Sequence, residues 1–157
     1  MKLGTKGRYA VMAMVDLASH SGGRPVALAD IAARQEISLS YLEQLFARLR
    51  RRGLVRSIRG PGGGYLLGYP ADQTRIGDII LAVDEPIRAT RCAAESSVGC
   101  RADKSRCLTH DLWEELGNQI HLFLSSVSLA DVCEKRVLGM SGRVHRVHTI
   151  QEPRPRA

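Results

Sequence analysis

The chain has 157 residues, 44% hydrophobic but only 4% aromatic, and a formal net charge of +7. That length suits one compact domain with appendages. No apolar run approaches the roughly 18 residues of a membrane span. Met1 to Ala10 lacks the apolar stretch of a signal peptide, so the cytoplasm, without membrane contact, is the expected compartment.

The charge is unevenly spread. Residues 1–60 hold 11 Lys and Arg against 4 Asp and Glu, whereas the other 97 residues carry 12 of each sign. A basic first third of this kind suits a polyanion such as DNA; a merely solvated basic surface is the plainer alternative.

In chain order, residues 5–19 place Ala10, Ala13, Met14 and Leu17 at helical spacing, which predicts a first amphipathic helix. A loop follows at 21–25, then a short helix with Leu28, Ile31 and Ala32 on one face, then a tight turn at Ile37 and Ser38. A third helix over roughly 39–52 carries the stripe Leu42, Leu45, Phe46 and Leu49, and Gly53 stands where a helix C′ residue belongs. Residues 54–58 and 65–67 read as strands around the glycine-rich turn 60–64, and 75–83 as another short helix. From Glu85 to Arg106 periodicity disappears, which predicts a loop that needs a ligand to order it. A long helix at about 109–127, N-capped by Thr109, precedes a short one starting at Ser128. The basic tail from Lys135 is poor in apolar residues and reads as disordered.

The expected fold is therefore mostly α with a small β-hairpin: a winged helix-turn-helix over 1–84, a loop over 85–108, helices over 109–134 and a tail over 135–157. In such a fold the third helix enters the major groove. Opposite its apolar stripe that helix presents Ser40, Glu43, Gln44 and Ala47. Gln pairs with adenine, Glu accepts from the cytosine amino group, and Ser serves in either role. Tyr41, at the helix start, is placed to reach phosphate, as are Arg48, Arg50, Arg51 and Arg52. Ser40 and Glu43 also fit a capping box, but Ser38 is a competing N-cap that would leave Glu43 for a base. In the wing, the loop after Arg59 is nearly free of side chains, so the backbone can approach a phosphate while Arg59 enters the minor groove.

Cys92, Cys100, Cys107 and His110 follow the pattern C-x7-C-x6-C-x2-H. Thiolates and an imidazole ligate zinc or iron–sulfur clusters, and the wide gaps suit a loop wrapped around an inorganic core better than a zinc finger. A zinc-stabilised interaction module, a disulfide and an iron–sulfur electron carrier are the alternatives. Cys133 reads as a buried, inert thiol.

The stretch ISLSYLEQLFARLRRRGLVRSIRGPGGGYLLG, the loop cysteines and CLTHDLW closely resemble the IscR family of iron–sulfur cluster-binding regulators of bacterial cluster assembly, from Met1 to about Gly142. The resemblance implies a homodimer with one 2Fe–2S cluster per subunit, held by Cys92, Cys100, Cys107 and His110 and supplied by the cluster-assembly machinery. It implies DNA contacts from Ser38, Ser40, Tyr41, Glu43, Gln44, Arg59, Gly60 and Pro61. It further implies repression of cluster-assembly genes by the loaded protein and recognition of a second class of sites by the cluster-free form. The cysteine gaps are wider here than in the family pattern, and sister proteins that sense nitric oxide or iron hold a 4Fe–4S cluster with three cysteines. His110-Asp111-Leu112-Trp113 favours the 2Fe–2S type.

The charge asymmetry predicts strongly salt-dependent DNA binding. With about 6–10 phosphate contacts per dimer, affinity for a specific duplex falls by about 10³–10⁵ between about 50 and 200 mM salt. Fluorescence anisotropy across that range measures the slope.

Overall fold

A computed structural model describes residues 4–84, 87, 99 and 101–137. Six helices and one hairpin follow in the order α1 (Thr5–Ser21), α2 (Leu28–Gln35), α3 (Leu39–Arg51), β1 (Val55–Ile58), β2 (Gly64–Leu67), α4 (Ile76–Ala82), α5 (His110–Ser126) and α6 (Leu129–Cys133). The mostly helical, winged architecture is as the sequence predicts, with boundaries differing by one or two residues.

α1 is the central strut, and α2, α3, β2, α4 and α6 all pack against it. Its Ala10, Ala13, Met14 and Leu17 are fully buried, as are Leu42, Phe46 and Leu49 of α3 and Ile79 and Val83 at α4. Small residues on α1 let several helices approach one face, which compensates for the scarcity of aromatic side chains. The two aromatic contacts fall where they orient the fold. Phe46 meets Tyr65 of β2 edge-on at 4.9 Å, and Tyr41 meets Tyr9 of α1 at 6.0 Å.

The hairpin is antiparallel, with Val55 opposite Leu67 and Ile58 opposite Gly64. Residue 26 adds a third line of pairing. The Val26 amide donates to the Tyr65 carbonyl at 3.0 Å, and the Tyr65 amide donates to the Val26 carbonyl at 2.8 Å. The base of the wing is thereby tied to the chain entering α2.

α6 does not stand apart with α5. Val127, Ser128 and Leu129 are buried, and the amides of Ile76 and Leu129 donate to the carbonyls of Val127 and Thr74. α4 can lie close to the end of α5 because residue 77 is glycine; a Cβ there would sit 2.7 Å from Ser125 Oγ. The sequence-predicted cap of the long helix is different in fact. Thr109 occupies the N-cap position but makes no capping bond, and its Oγ1 lies 3.6 Å from Cys107 Sγ. Nor is Cys133 fully buried: it is half-exposed, with Ser19 Oγ 3.8 Å from its sulfur. The predicted disordered tail lies almost wholly outside the described residues.

The polar heart of the fold is Asp16, whose side chain has no exposed surface. Arg34 of α2 donates to both carboxylate oxygens, Nη2 to Oδ1 at 2.7 Å, and Gln35 Nε2 donates to Oδ2 at 2.7 Å. His20 Nδ1 lies 3.4 Å from Oδ1. Burial by itself raises this carboxyl's pKa. The hydrogen bonds from Arg34 and Gln35, with the charges of Arg34 and His20, outweigh it and hold the pKa below the ordinary 3.8. Among the described residues, no buried side-chain nitrogen or oxygen lacks a partner.

A folded-state pKa lowered in this way stabilises the native chain above the unfolded value, and that contribution is lost as pH falls through the folded value. Asp16→Asn should therefore cost about 1–3 kcal/mol at neutral pH, the worth of hydrogen bonds to a charged group. The deficit shrinks below about pH 4, where wild type loses the same contribution. Urea unfolding of both proteins between neutral and acid pH measures this.

Candidate nucleic-acid interface and metal centre

α3 owes its orientation to one stripe. Leu42, Leu45, Phe46 and Leu49 are all buried, so Ser40, Glu43 and Gln44, on the far side, are exposed. Ser38 is the N-cap: its Oγ accepts from the Tyr41 amide at 3.3 Å. Ser40 therefore does not cap the helix, and Glu43 is left on the open face. At the other end, the Gly53 amide donates to the Arg50 carbonyl and the Leu54 amide to the Leu49 carbonyl, both at 3.0 Å. That pair of bonds is a Schellman stop, with Gly53 at φ 74°. It turns the chain directly into β1.

The wing tip is a type II turn. Pro61 sits at its second position, Gly62 at its third with φ 71°, and the Gly63 amide donates to the Gly60 carbonyl at 2.9 Å. Only a residue free to take positive φ fits position 62. Arg59, Gly60 and Pro61 are all exposed at this tip, and Arg56 beside them is exposed as well. The Phe46–Tyr65 contact couples the wing's orientation to that of α3.

Two candidate contacts also have partners within the chain. Tyr41 is half-buried with its ring against Tyr9. Arg48 is paired at the surface with the end of α4: its Nη1 lies 2.6 Å from Asp84 Oδ2 and donates to the Val83 carbonyl at 3.2 Å. Arg50, Arg51 and Arg52 remain exposed on the same end of the helix. Sequence reasoning passed over Asp84; its one signal was an acidic residue directly before the aperiodic stretch.

Of the candidate metal ligands, Cys92 and Cys100 lie outside the described residues. Cys107 and His110 are brought onto one turn at the start of α5, where the His110 amide donates to the Cys107 carbonyl at 3.0 Å. His110 is buried, with Nε2 3.7 Å from Glu114 Oε2. A histidine ligand is commonly oriented by a neighbouring carboxylate. Most of the loop over 85–106 lies outside the described residues; its described end, at 99 and 101–106, makes hydrogen bonds of its own. The amides of Gly99 and Arg101 donate to the carbonyls of Lys104 and Ser105, and Ser105 donates to Asp103 Oδ1 through both its amide and its hydroxyl. The chain thus doubles back between positions 99 and 105. A soft thiolate and an imidazole on one turn fit an iron or zinc site.

An exposed polar recognition face, a hairpin wing pinned to it and a basic surface around both define a winged helix-turn-helix transcriptional regulator. The Rrf2 family, described as iron-dependent transcriptional regulators, matches residues 3–135, and the chain belongs to that family. It is 56% identical to the HTH-type transcriptional regulator IscR of Photorhabdus laumondii, over 91% of this chain and 86% of that protein. It is 52% identical to IscR of Escherichia coli O1:K1, over 99% of this chain and 93% of that protein. Among solved structures it is similar to T. potens IscR, with a TM-score of 0.69 at 40% identity over 87% and 88% of the two chains. It is equally similar in fold to CymR, the global cysteine regulator of B. subtilis, with a TM-score of 0.69 at 36% identity over 86% and 98%. These relatives are named as regulators, not enzymes. Among the described residues no helix is long and apolar enough to cross a membrane.

The cap assignment separates two serines that look alike in sequence. Ser38→Ala should cost about 1 kcal/mol of stability through the lost cap. Ser40→Ala should leave stability within about 0.5 kcal/mol while weakening binding to a specific duplex. Thermal unfolding and duplex titration of the two variants distinguish these outcomes.

Proposed function

We propose that this chain is a cytoplasmic, homodimeric regulator whose choice of DNA site is set by one 2Fe–2S cluster per subunit, ligated by Cys92, Cys100, Cys107 and His110. The observation that carries this reading is the Cys107–His110 turn, which sets a thiol and a buried imidazole together at the entrance to α5, next to the domain that holds the recognition helix. The names of the IscR relatives support the same reading. When bound, the cluster supplies a reversible, redox-sensitive cross-link between the cysteine loop and α5. His110 and Cys107 would hold it from the α5 side, with the Glu114 carboxylate 3.7 Å from His110 Nε2.

α5 is the proposed dimer helix. Leu112, Trp113, Leu122 and Phe123 are 62, 44, 59 and 47% exposed, and Leu108 just before them is fully exposed. So much apolar surface on one helix calls for a covering partner, and a second copy related by a two-fold axis covers both faces at once. Two recognition helices and two wings then read a pseudo-palindrome, with Ser38, Ser40, Glu43 and Gln44 at the bases or adjacent backbone and Arg59, Gly60 and Pro61 on the wing. Glu43 acts as a gate between site classes, because a carboxylate facing a base without a donor is rejected. The loaded protein represses cluster-assembly genes, and the cluster-assembly machinery is the donor.

Anaerobically purified protein should sediment as a dimer and show visible charge-transfer absorbance with two irons and two sulfides per chain. Cys92→Ala, Cys100→Ala and Cys107→Ala should abolish that absorbance in a folded dimer, and Cys133→Ala should retain it. Four irons per chain would assign the protein to the 4Fe–4S sensors instead, and zinc without visible absorbance would overturn the cluster reading.

A further inference from the structure

The Arg48–Asp84 pair joins two parts of the molecule that the function requires to communicate. Arg48 lies on α3 one turn after Gln44, between Leu45 and Leu49, which are buried and hold the helix as a rigid body. Its partner is the residue at which the chain leaves α4 for the cysteine-bearing stretch. α4 ends at Ala82, Val83 caps it, and Asp84 turns the chain through a left-handed conformation at φ 57°. That conformation disfavours most non-glycine residues, and Asp is among the more tolerant types. One guanidinium nitrogen of Arg48 meets both the Asp84 carboxylate and the Val83 carbonyl, so it grips the backbone and the side chain of this corner together.

The surroundings make Asp84 the natural partner. Arg48, Arg51, Arg52, Ala82 and Asp84 line one cleft of about 310 Å³, where, among the described residues, Asp84 is the acidic group that faces three arginines. Without Asp84, Arg48 would share that cleft with two like charges.

We infer that the Arg48–Asp84 clasp is the joint through which the state of the cysteine loop sets the position of the recognition helix. Arg48 is on this assignment a positioning residue. The inference rests on the cluster-controlled site preference proposed above and names the contact that transmits it. Since Arg48 and Asp84 are 32 and 68% exposed, the pair is worth no more than an ordinary surface bridge. Its share of the coupling is bounded at about fivefold per protomer, or about 25-fold for a dimer.

The test is the coupling ratio: the affinity of loaded protein divided by that of cluster-free protein, for a duplex selected by the loaded protein from a random pool. Arg48→Gln and Asp84→Asn should each lower the ratio toward one by a similar factor, up to about 25-fold. Both variants keep the wild-type visible spectrum, and the reversed pair Arg48→Asp with Asp84→Arg recovers part of the ratio. In the cluster-free protein, either single variant should also speed amide hydrogen exchange at Val83 and Asp84, a readout independent of cluster and DNA. An unchanged ratio with both affinities lowered equally would make Arg48 a phosphate contact or a brace and overturn the inference. Loss of the spectrum in either variant would assign the pair to loading and overturn it as well. A wild-type ratio of one would remove the cluster-controlled reading itself, and the inference with it.

Discussion

The burial of one stripe of α3 is the constraint on which the rest of the molecule depends. Leu42, Leu45, Phe46 and Leu49 leave no freedom for the helix to rotate, since a rotation of one residue would expose a leucine or bury a charge. Each buried Leu or Phe contributes about 1.5–3 kcal/mol by its removal from water, which outweighs any single polar contact on the outer face. The exposed polar residues of the outer face are thus aimed by the residues buried behind them. The wing inherits the same orientation through the Phe46–Tyr65 contact and the Schellman turn at Gly53.

A second tier of contacts fixes where that unit sits. Asp16 binds α2 to α1 through a network in which every partner is satisfied, a condition that a low-dielectric interior enforces strictly. Tyr9 and Tyr41 bind the start of α3 to the same strut. On the other side, α4, the end of α5 and α6 share one core through backbone bonds at Thr74, Ile76 and Val127. The turn that carries Cys107 and His110 is consequently only one helix away from the body that orients α3, while the outer surface of α5 stays apolar and exposed.

Local signals in the sequence are legible where local physics decides them. Helical periodicity marks every helix, because a one-sided apolar stripe has no other stable use. The glycine-rich wing turn is legible for a related reason: Pro61 and Gly62 satisfy the two backbone angles that a type II turn demands. The competition between Ser38 and Ser40 could be framed from sequence but was settled by the geometry of the Ile37–Leu39 turn. The cysteine-to-histidine spacing signalled ligand chemistry because those side chains in that grouping have few other roles.

Sequence patterns alone were enough for the winged-helix class, the basic bias toward DNA and the grouping of the cysteines with His110. The long-range pairings came from the packed fold. The pairing of Arg48 with Asp84, 36 residues away, is one such contact. Likewise Asp16 was an unremarked helix residue until α2 folded Arg34 and Gln35 against it. Thr109 stands at the N-cap position of α5, as its place in the sequence suggests, but its side chain makes no capping bond. The physical reason is common to all three. Periodicity and capping depend on residues within a few positions, whereas an ion pair depends on where two distant segments meet, and that is a property of the packed core.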